Sequence, residues 1–529
     1  MTMETLRSYV REEWVAGTGE GEILVDPTTE EPVARASAVG IDRKLLLAHA
    51  RDVGGPALRA LTFAQRGEIL RALSKAIHGA REELIELGVR NAGNTRGDAK
   101  FDIDGASGTL MAYADLGQEL GDATFLADGP AMPIGRSSRL AGQHFLVPRH
   151  GVALHLNAFN FPAWGLAEKL AVSLLAGVPV VSKPAPATAL MTVKLVQKLL
   201  EAKVLPPGTL SLLVGEPGDL LDHLEEQDVL SFTGSSGTGT LLRGHPNVLA
   251  RSIKVNVEAD SLNAAVLGPD VEPGSETFQL FVNEVVKETT QKAGQKCTAT
   301  RRVFVAAARL AEVEAALVER FAALKVGHPG VDGMQVGPLA TARQLASVRA
   351  GIDKLLAEPG MRAAIGGSGR PAVAEVPAGK GYFVAPTLLV ADRGDIGLVH
   401  ELEVFGPVTT LLPYDGSASE AVRLVRRGRG GLVASVYSDD RAFARELVFG
   451  IGAFHGRVVL GSVKMAGAAL GPGIVLPQFL HGGPGRAGGG EELGGLRGLG
   501  LYLQRVAVQG YGPLVDSLAP GGSRGAPPA

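Results

Sequence analysis

The chain contains a single cysteine, Cys297, which lies in the segment GQKCTATRR (294–302), a small, polar and cationic context. Nearby positive charge favours the thiolate, which is the nucleophilic form of cysteine. The flanking Gln, Lys and Thr residues weaken the alternative of a buried structural cysteine without removing it. The local sequence is therefore compatible with a catalytic nucleophile at this position.

Three other segments carry groups that can assist such chemistry. In IKVNVEAD (253–260), a strand-like alternation ends at Glu258, although a solvated acid at a strand end is the commoner use. In NAFNFP (157–162), Asn160 precedes a proline that can open a helix, so its amide can face a site; a turn asparagine is the usual alternative. The loop FTGSSGTG (232–239) can hold a pyrophosphate on its backbone amides, although a Gly/Ser loop is more often only a turn.

Composition and missing motifs exclude several classes of protein. The 529 residues carry 52 basic and 55 acidic groups, so the net charge of −3 gives no general attraction to nucleic acid or an anionic membrane. One thiol forms neither an internal disulfide nor a Cys-based zinc cluster. The 11 histidines are scattered singly, so no metal site is predicted. Walker A, HExxH and G-x-S-x-G patterns are absent.

The chain reads as a cytoplasmic protein. Its N-terminus, MTMETLRSYVREEW, is charged throughout and lacks the apolar stretch of a secretory signal. The longest strongly apolar stretch, 170–181, is too short to span a bilayer. We therefore expect no membrane partner and no nucleic-acid partner.

Apolar runs alternate with helical patterns along most of the chain, which is typical of a parallel α/β sheet. A helical pattern covers 59–90, and the Gly-dense segment 481–500 predicts a loop. The predicted strands are 152–156, 178–181, 210–214, 229–232, 263–267, 302–305, 387–390, 408–412 and 432–437, and the predicted helices include 162–175, 191–202, 240–243 and 309–324.

Eight segments, in this order, resemble the NAD(P)-dependent aldehyde dehydrogenase superfamily. They are NAFNFP (157–162), VVSKPAP (180–186), SFTGSSGTG (231–239), Glu258, GQKC (294–297), APTLL (385–389), EVFGPV (403–408) and EELG (491–494). The resemblance covers about residues 20–510. The C-terminal pattern HGGPGRAGGGEELGGLRGL (481–499) is similar to the branch that acts on ring-cleavage CoA-semialdehydes in aromatic degradation.

The resemblance implies an α/β aldehyde dehydrogenase fold with three parts. A cofactor-binding α/β domain would comprise 1–132 and 151–262, and a catalytic α/β domain 263–484. A small β oligomerisation arm would comprise 133–150 and 500–516, followed by a Pro/Gly-rich, disordered tail at 517–529. Edge strands at 143–147 and 504–508 would pair across a two-fold axis, so we expect a homodimer or a dimer of dimers.

The resemblance also implies roles for the reactive residues. Cys297 would attack the aldehyde, and the Asn160 amide and the Cys297 backbone N–H would stabilise the oxyanion. Glu258 would activate water to hydrolyse the thioester. Lys169 and Glu492 would form a proton path to that base, or equally a structural ion pair.

A dinucleotide site is implied by nine further positions. Glu403 would hold the nicotinamide ribose, Phe405 would flank the nicotinamide, and Lys183 would contact the adenosine ribose. The others are Phe159, Ser182, Pro186, Gly215, Gly234 and Ser235, of which Gly234 and Ser235 match the pyrophosphate loop. Members that prefer NAD often have a glutamate where this chain has Pro186, so the resemblance favours NADP, with NAD as a weaker cofactor.

Alternatives remain for the reaction and the substrate. The expected substrate is a small-molecule, CoA-linked semialdehyde of benzoate degradation, and a phenylacetate-pathway ring-cleavage product is the alternative. A CoA-acylating enzyme of the same fold usually lacks the carboxylate matched by Glu258, and a non-catalytic relative would not need Cys297, Glu258 and Asn160 together. Four arginines are candidates for a CoA pocket by charge alone: Arg136, Arg139, Arg301 and Arg302.

Overall fold

The structure is a computed structural model that describes residues 3–136, 139–468 and 470–519. Its strands are β1 (Glu4–Thr5), β2 (Arg7–Val10), β3 (Glu13–Ala16), β4 (Glu22–Val25), β5 (Pro32–Ala36), β6 (Leu126–Pro133), β7 (Leu140–Pro148), β8 (Ala153–Leu156), β9 (Val180–Lys183), β10 (Leu210–Leu212), β11 (Val229–Thr233), β12 (Lys254–Glu258), β13 (Ala264–Leu267), β14 (Arg302–Ala306), β15 (Met361–Ile365), β16 (Thr387–Ala391), β17 (Val408–Tyr414), β18 (Gly431–Tyr437), β19 (His455–Gly461), β20 (Leu480–Gly482), β21 (Glu491–Leu493) and β22 (Leu503–Tyr511).

Helices cover both large sheets. They are α1 (Arg43–His49), α2 (Gly55–Arg59), α3 (Phe63–Gly79), α4 (Arg81–Ala92), α5 (Arg96–Leu120), α6 (Trp164–Ala176), α7 (Ala189–Glu201), α8 (Ser236–Arg243), α9 (Pro246–Ala250), α10 (Glu276–Thr290), α11 (Leu310–Ala322), α12 (Ala342–Leu356), α13 (Ala418–Arg426), α14 (Arg441–Ile451), α15 (Leu496–Leu499) and α16 (Gly512–Ser517). Of the helices in the described ranges, none is long and apolar enough to span a membrane.

The first large sheet has the order β12-β11-β8-β9-β10-β2-β3. Strands β12, β11, β8, β9 and β10 are parallel and mostly buried, which confirms the predicted strands between 150 and 270 except that Asn263–Leu267 belongs to the second large sheet. The N-terminal hairpin β2–β3 adds two antiparallel strands that the sequence did not predict. The chain crosses from β8 toward β9 on one side and later returns to β11 on the other. The strand order therefore reverses between β8 and β11, the place where open α/β sheets form a ligand crevice.

The second large sheet has the order β15-β16-β17-β14-β13-β18-β19, and all pairs except β15–β16 are parallel. Buried apolar side chains of β13, β14 and β18 form its centre. Cys297 lies in the loop that leads into β14. The loop faces the carboxyl ends of the first sheet, because Cys297, residues that follow β8 and the last residue of β12 line one cavity.

A third sheet has the order β22-β7-β6 and corrects one prediction. Segment 143–147 lies in the central strand β7 and is not an edge, since β6 covers its second side. Its other side pairs with 504–508 in β22, from Gln504 opposite Val147 to Val508 opposite Gln143. Residues 520–529 of the predicted disordered tail lie outside the described residues.

Two other predictions are wrong in detail. The helical pattern 59–90 is interrupted at Ala80, whose φ of −99° and ψ of 12° are not helical, so α3 and α4 are separate helices. The Gly-dense segment 481–500 is not simply a loop, because β20 and β21 form a hairpin and α15 follows. Glycine permits this hairpin: a Cβ on Gly482, whose φ is 148°, would lie 2.0 Å from the Gly490 carbonyl oxygen.

Helices α3 and α5 pack closely through a pair of glycines. A Cβ on Gly117 would lie 2.7 Å from the Phe63 carbonyl oxygen and 2.9 Å from the Gly67 Cα. A methyl group at this crossing would therefore force the two helix backbones apart.

We expect Gly117→Ala to lower the free energy of unfolding by about 1–3 kcal/mol, the usual range for overpacking. Gly108→Ala is the matched control on the same helix, because a Cβ there meets nothing within 4 Å. Alanine is a better helix former than glycine by about 1 kcal/mol, so the control should be equally or more stable. Denaturant unfolding measures both, and equal effects of the two substitutions would contradict the close packing.

Candidate functional site

A cavity between the two large sheets brings together the three residues predicted to be reactive. It is lined by Asn157, Ala158, Asn160, Phe161, Trp164, Gly165, Glu168, Lys169, Thr233, Glu258, Cys297, Thr298, Gly473, Val475 and His481. The residues come from the ends of β8, β11 and β12, from α6, from the loop before β14 and from the C-terminal hairpin. The site therefore forms only when both sheets are assembled.

The cysteine loop is held by a buried asparagine. Asn263 donates hydrogen bonds to the carbonyl oxygens of Cys297 (2.8 Å) and Ala299 (2.9 Å), and its own amide oxygen accepts one from the Val433 N–H at 3.0 Å. Upstream, Gly294 has a φ of 69°, and a Cβ there would lie 2.1 Å from the Gly406 carbonyl oxygen. These contacts hold the nucleophile in a defined position rather than on a mobile loop.

Cys297 contacts a histidine that the sequence analysis did not identify. Its Sγ lies 3.8 Å from Nε2 of His481, and the same Nε2 lies 3.2 Å from Oε1 of Glu258. The Nδ1 atom of His481 is buried without a hydrogen-bond partner among the described residues. Its position in the C-terminal hairpin, far from Cys297 along the chain, left no local signal of this contact.

The charges of these groups shift one another's pKa values. Burial and the neighbouring Glu258 carboxylate raise the pKa of the Cys297 thiol well above its usual range. Burial alone would raise the pKa of Glu258, but His481 and Lys169 outweigh it and lower that pKa to about 2. Burial opposes a charge on His481 as well, yet Glu258 raises its pKa. The carboxylate is therefore ionised, and the imidazole readily holds a second proton.

Lys169 and Glu492 form an ion pair next to this group. Lys169 Nζ lies 3.0 Å from Glu492 Oε2 and 3.2 Å from Glu168 Oε1. The other oxygen of Glu492 accepts hydrogen bonds from Ser231 and Asn256, each at 3.1 Å. The structure thus joins the two residues that the resemblance paired.

Glu168 is a second residue that the sequence analysis missed. One carboxylate oxygen from each of Glu168, Glu258 and Glu492 lies within 4.8 Å of the others. Burial raises the pKa of Glu168 to about 7, although Lys169 works in the opposite direction. The signal was present, because Glu168 and Lys169 are the only charges in the otherwise apolar helix α6.

Asn160 follows β8 and points an available amide into the cavity. Its side chain is buried and makes no hydrogen bond to another described residue. Helix α6, which follows Asn160, begins at Trp164 instead of at Pro162. At the start of α6 the Ala163 and Trp164 N–H groups donate hydrogen bonds to Asp102 of α5. Asn160 therefore has free hydrogen-bonding capacity beside Cys297.

Two aromatic rings and a carboxylate that were predicted to bind the cofactor lie close together, and Arg301 contacts both Phe405 and Glu403. Phe159 and Phe405 pack edge to face, with ring centroids 6.0 Å apart. Glu403 accepts a hydrogen bond from the Ser261 N–H at 3.1 Å, while its Oε1 has no hydrogen-bond partner among the described residues. Burial raises the pKa of Glu403 to about 7, against the effect of Arg301.

The predicted adenosine-side residues fall into two groups. Lys183, at the end of β9, and Pro186, which opens a short 3₁₀ turn, are partly exposed. Ser182 contradicts the prediction, because it is fully buried and its hydroxyl accepts a hydrogen bond from Asn157 at 3.0 Å. Close packing requires a glycine at position 215, since a Cβ there would lie 2.5 Å from the Ala38 nitrogen.

The glycine-rich loop after β11 leads directly into α8. The Gly234 N–H donates to the Glu258 carbonyl at 3.1 Å, and the Ser235 hydroxyl caps the helix by accepting from the Thr238 N–H. Asp260 accepts a hydrogen bond from the Ser236 N–H at 3.1 Å. The loop is thus anchored at both ends, with Ser235 exposed between them.

Two arginines proposed for CoA by charge are buried structural groups. Arg301 donates to the Gly406 and Gly294 carbonyl oxygens at 2.7 and 2.9 Å. Arg302 donates to the Leu262 and Val425 carbonyl oxygens at 2.8 and 3.1 Å. Arg301 and Arg302, which were candidates by charge alone, are therefore held by backbone carbonyl oxygens and are not available to a ligand phosphate.

Solved structures share this fold. Lactaldehyde dehydrogenase from Escherichia coli superimposes with a TM-score of 0.83 at 23% identity, covering 96% of this chain and 99% of that one. A betaine aldehyde dehydrogenase from Staphylococcus aureus, solved in complex with NAD+, superimposes with a TM-score of 0.82 at 24% identity, covering 96% and 95%.

Sequence comparisons agree with the fold. A 3,4-dehydroadipyl-CoA semialdehyde dehydrogenase from Aromatoleum evansii is 46% identical over 480 residues, which is 90% of this chain and 93% of the relative. A betaine aldehyde dehydrogenase from Bacillus subtilis is 27% identical over 82% of this chain and 85% of the relative. The aldehyde dehydrogenase family matches residues 14–468. The chain therefore belongs to the aldehyde dehydrogenase family.

Proposed function

We propose that the protein oxidises a CoA-linked semialdehyde to the carboxylic acid, with a nicotinamide cofactor and a thioester on Cys297. The observation that carries the proposal is the convergence of Cys297, Glu258 and Asn160 in one cavity. The 46% identical relative named 3,4-dehydroadipyl-CoA semialdehyde dehydrogenase supports the substrate class.

Each reactive residue has a step that its position supports. The Cys297 sulfur attacks the aldehyde carbon, and the Asn160 amide donates a hydrogen bond to the oxygen that becomes negative. Such a donor is worth about 3–4 kcal/mol of barrier. A bound nicotinamide cofactor would supply the acceptor for the hydride of the Cys297 adduct. Glu258, which is ionised, then takes a proton from the water that hydrolyses the thioester. Before this step Lys169, which is paired with Glu492, stabilises the negative charge of the Glu258 carboxylate.

The crevice fits a nicotinamide dinucleotide. Glu403 Oε1 and Thr233 Oγ1 are buried oxygens without hydrogen-bond partners among the described residues, so each has capacity for a ligand hydroxyl. We propose that Glu403 holds the nicotinamide ribose, with Phe159 and Phe405 beside the ring. Gly234 and Ser235 would face the pyrophosphate, and Lys183 the adenosine end.

We propose NADP as the preferred cofactor. Pro186 is partly exposed close to Lys183 and carries no charge that would repel a 2′-phosphate. Among the residues that the structure describes, the Lys183 Nζ donates only to the neighbouring Pro184 carbonyl, at 3.2 Å, so it has further protons for a ligand. With proline at position 186, bound NAD lacks the charge-assisted hydrogen bonds that a glutamate there would accept from its ribose hydroxyls.

We expect Pro186→Glu to lower the ratio of kcat/KM for NADP to that for NAD by about tenfold or more. The reason is that a charge-assisted hydrogen bond contributes about 1.5–3 kcal/mol and a like charge opposes the phosphate. Pro186→Ala is the control, since it removes the ring without adding charge. A wild-type enzyme that favours NAD would contradict the assignment.

A large cavity beside the reactive one has room for the CoA arm. It measures about 1010 Å³ and shares Trp164 and Val475 with the reactive cavity. Three exposed cations on its wall, Lys100, Lys287 and Arg320, form no ion pair with another described residue. We propose that they attract the phosphates of CoA.

Charge reversal should separate CoA-linked substrates from free aldehydes. We expect Lys287→Glu to reduce kcat/KM about tenfold for the CoA-linked semialdehyde, because a phosphate loses a partner and gains a repulsion. For a free aliphatic aldehyde the change should stay within about twofold. Lys75→Glu, on an exposed face of α3 outside the cavity, is the control. Equal losses on both substrates would place CoA elsewhere.

Glu258→Gln tests hydrolysis against CoA-acylation. Hydride transfer precedes hydrolysis, so one equivalent of NADPH per site should appear in a burst, followed by stalling. Mass spectrometry should then find an acyl adduct on Cys297, and Cys297→Ala should give neither burst nor adduct. Steady turnover at the wild-type rate would show that Glu258 is not the base.

The two candidate substrates are distinguished by the wild-type enzyme. Comparing kcat/KM for 3,4-dehydroadipyl-CoA semialdehyde with that for the phenylacetate-pathway ring-cleavage product decides between them.

We propose that the third sheet is an oligomerisation arm and that the protein is a homodimer. Strand β22 is an edge, and apolar side chains on or next to this sheet are exposed, including Met132, Leu140, Val506, Tyr511 and Leu514. Pairing across a two-fold axis would satisfy the unpaired backbone groups of the edge strand and cover these side chains.

We also propose the division of the rest of the chain into domains. The first large sheet forms the core of the cofactor-binding domain, and the second large sheet forms the core of the catalytic domain.

A further inference from the structure

Cys297 must lose a proton before it can attack an aldehyde, and two groups are close enough to accept it. They are Glu258 and His481, and one ligand atom from each of the three residues lies within 4.8 Å of the others. The His481 Nε2 is 3.8 Å from the sulfur, which is within hydrogen-bonding distance for a thiol. The same nitrogen is 3.2 Å from the Glu258 carboxylate.

We propose that His481 takes the proton of Cys297 and that Glu258 is reserved for water. The Sγ–H bond breaks and an Nε2–H bond forms, so that Cys297 becomes a thiolate and His481 an imidazolium. The proton moves within the pair and no oxidant or reductant is needed. Glu258 Oε1 lies 3.2 Å from the same Nε2, so the thiolate and the carboxylate both face the nitrogen that gains the proton.

Electrostatic interactions favour the transfer of the Cys297 proton to His481. A thiolate directly beside the ionised Glu258 would place two negative charges in a buried cavity, which is costly. The imidazolium contacts both and compensates for the repulsion. Glu258 and Glu168 favour the imidazolium, whereas Arg457 on β19 and burial oppose it. Lys169 lies beyond Glu258 and is already paired with Glu168 and Glu492.

The rate of alkylation of Cys297 by iodoacetamide measures the thiolate directly. Because Cys297 is the only thiol, every label reports on this site. In His481→Gln the cation is lost, so we expect the midpoint of the alkylation-pH profile to rise by at least about one unit, and the rate at pH 7 to fall about tenfold or more. His481→Phe should shift the alkylation profile in the same direction, and because phenylalanine cannot form a hydrogen bond it also removes any polar contact with the sulfur.

Two controls identify the group that accepts the proton. Glu258→Gln removes a negative charge beside the sulfur, which favours the thiolate, so its alkylation rate at pH 7 should stay well above that of His481→Gln. His455→Gln replaces another buried histidine, whose Nδ1 contacts the Ile451 carbonyl oxygen, and should leave the profile unchanged. Thermal unfolding of each variant checks that it is folded.

Two results would overturn the proposal. One is a wild-type alkylation profile in folded His481→Gln and His481→Phe. The other is a larger loss in Glu258→Gln than in His481→Gln, which would make Glu258 the base for the thiol. The aldehyde reaction rests on the proposed function, but alkylation needs neither aldehyde nor cofactor, so the two proposals fail separately. If both hold, His481→Gln slows the NADPH burst, whereas Glu258→Gln keeps it.

Discussion

The site depends on a lysine that is buried inside an apolar helix. Lys169 is 2% exposed on α6, where an unpaired ammonium group would be very costly. The cost is offset by Glu492 at 3.0 Å and Glu168 at 3.2 Å. Since Glu492 also accepts hydrogen bonds from β11 and β12, this ion pair joins α6, the first sheet and the C-terminal hairpin. Removing one member of such a pair typically costs about 3–5 kcal/mol.

The same cluster explains why two nearby carboxyl groups behave differently. Glu258 has cations on two sides, Lys169 and His481, and its pKa falls to about 2. Glu168 is buried and has two other carboxylates near it, which outweigh the contact with Lys169 and the weaker effect of His481, so its pKa rises to about 7. Separated pKa values of this kind assign the ionised group to proton abstraction and leave the other able to hold a proton.

Much of the fold could be predicted from the sequence, and so could three of the five residues of the charged cluster, Glu258, Lys169 and Glu492. Strands β8, β9, β11 and β14 are buried on both faces, so each reads as a short apolar run. Cys297, Glu258 and Asn160 stand in recognisable segments. The central position of β7 and the packing of Ser182 were not predictable, because strand order and side-chain partners depend on segments that are distant in sequence. His481 was missed for the same reason.

The glycines of the C-terminal hairpin explain how that histidine reaches the cysteine. His481 in β20 stands directly opposite Glu492 in β21, so both side chains project from one face of the ladder. On that face Glu492 meets Lys169 and His481 meets Glu258. The next pair begins at Gly482, where a side chain would collide with the Gly490 carbonyl oxygen. One close-packed hairpin, with the sequence pattern HGG…EEL, thus brings two members of the charged cluster, His481 and Glu492, to the site. Its glycines are required because the two backbones approach so closely.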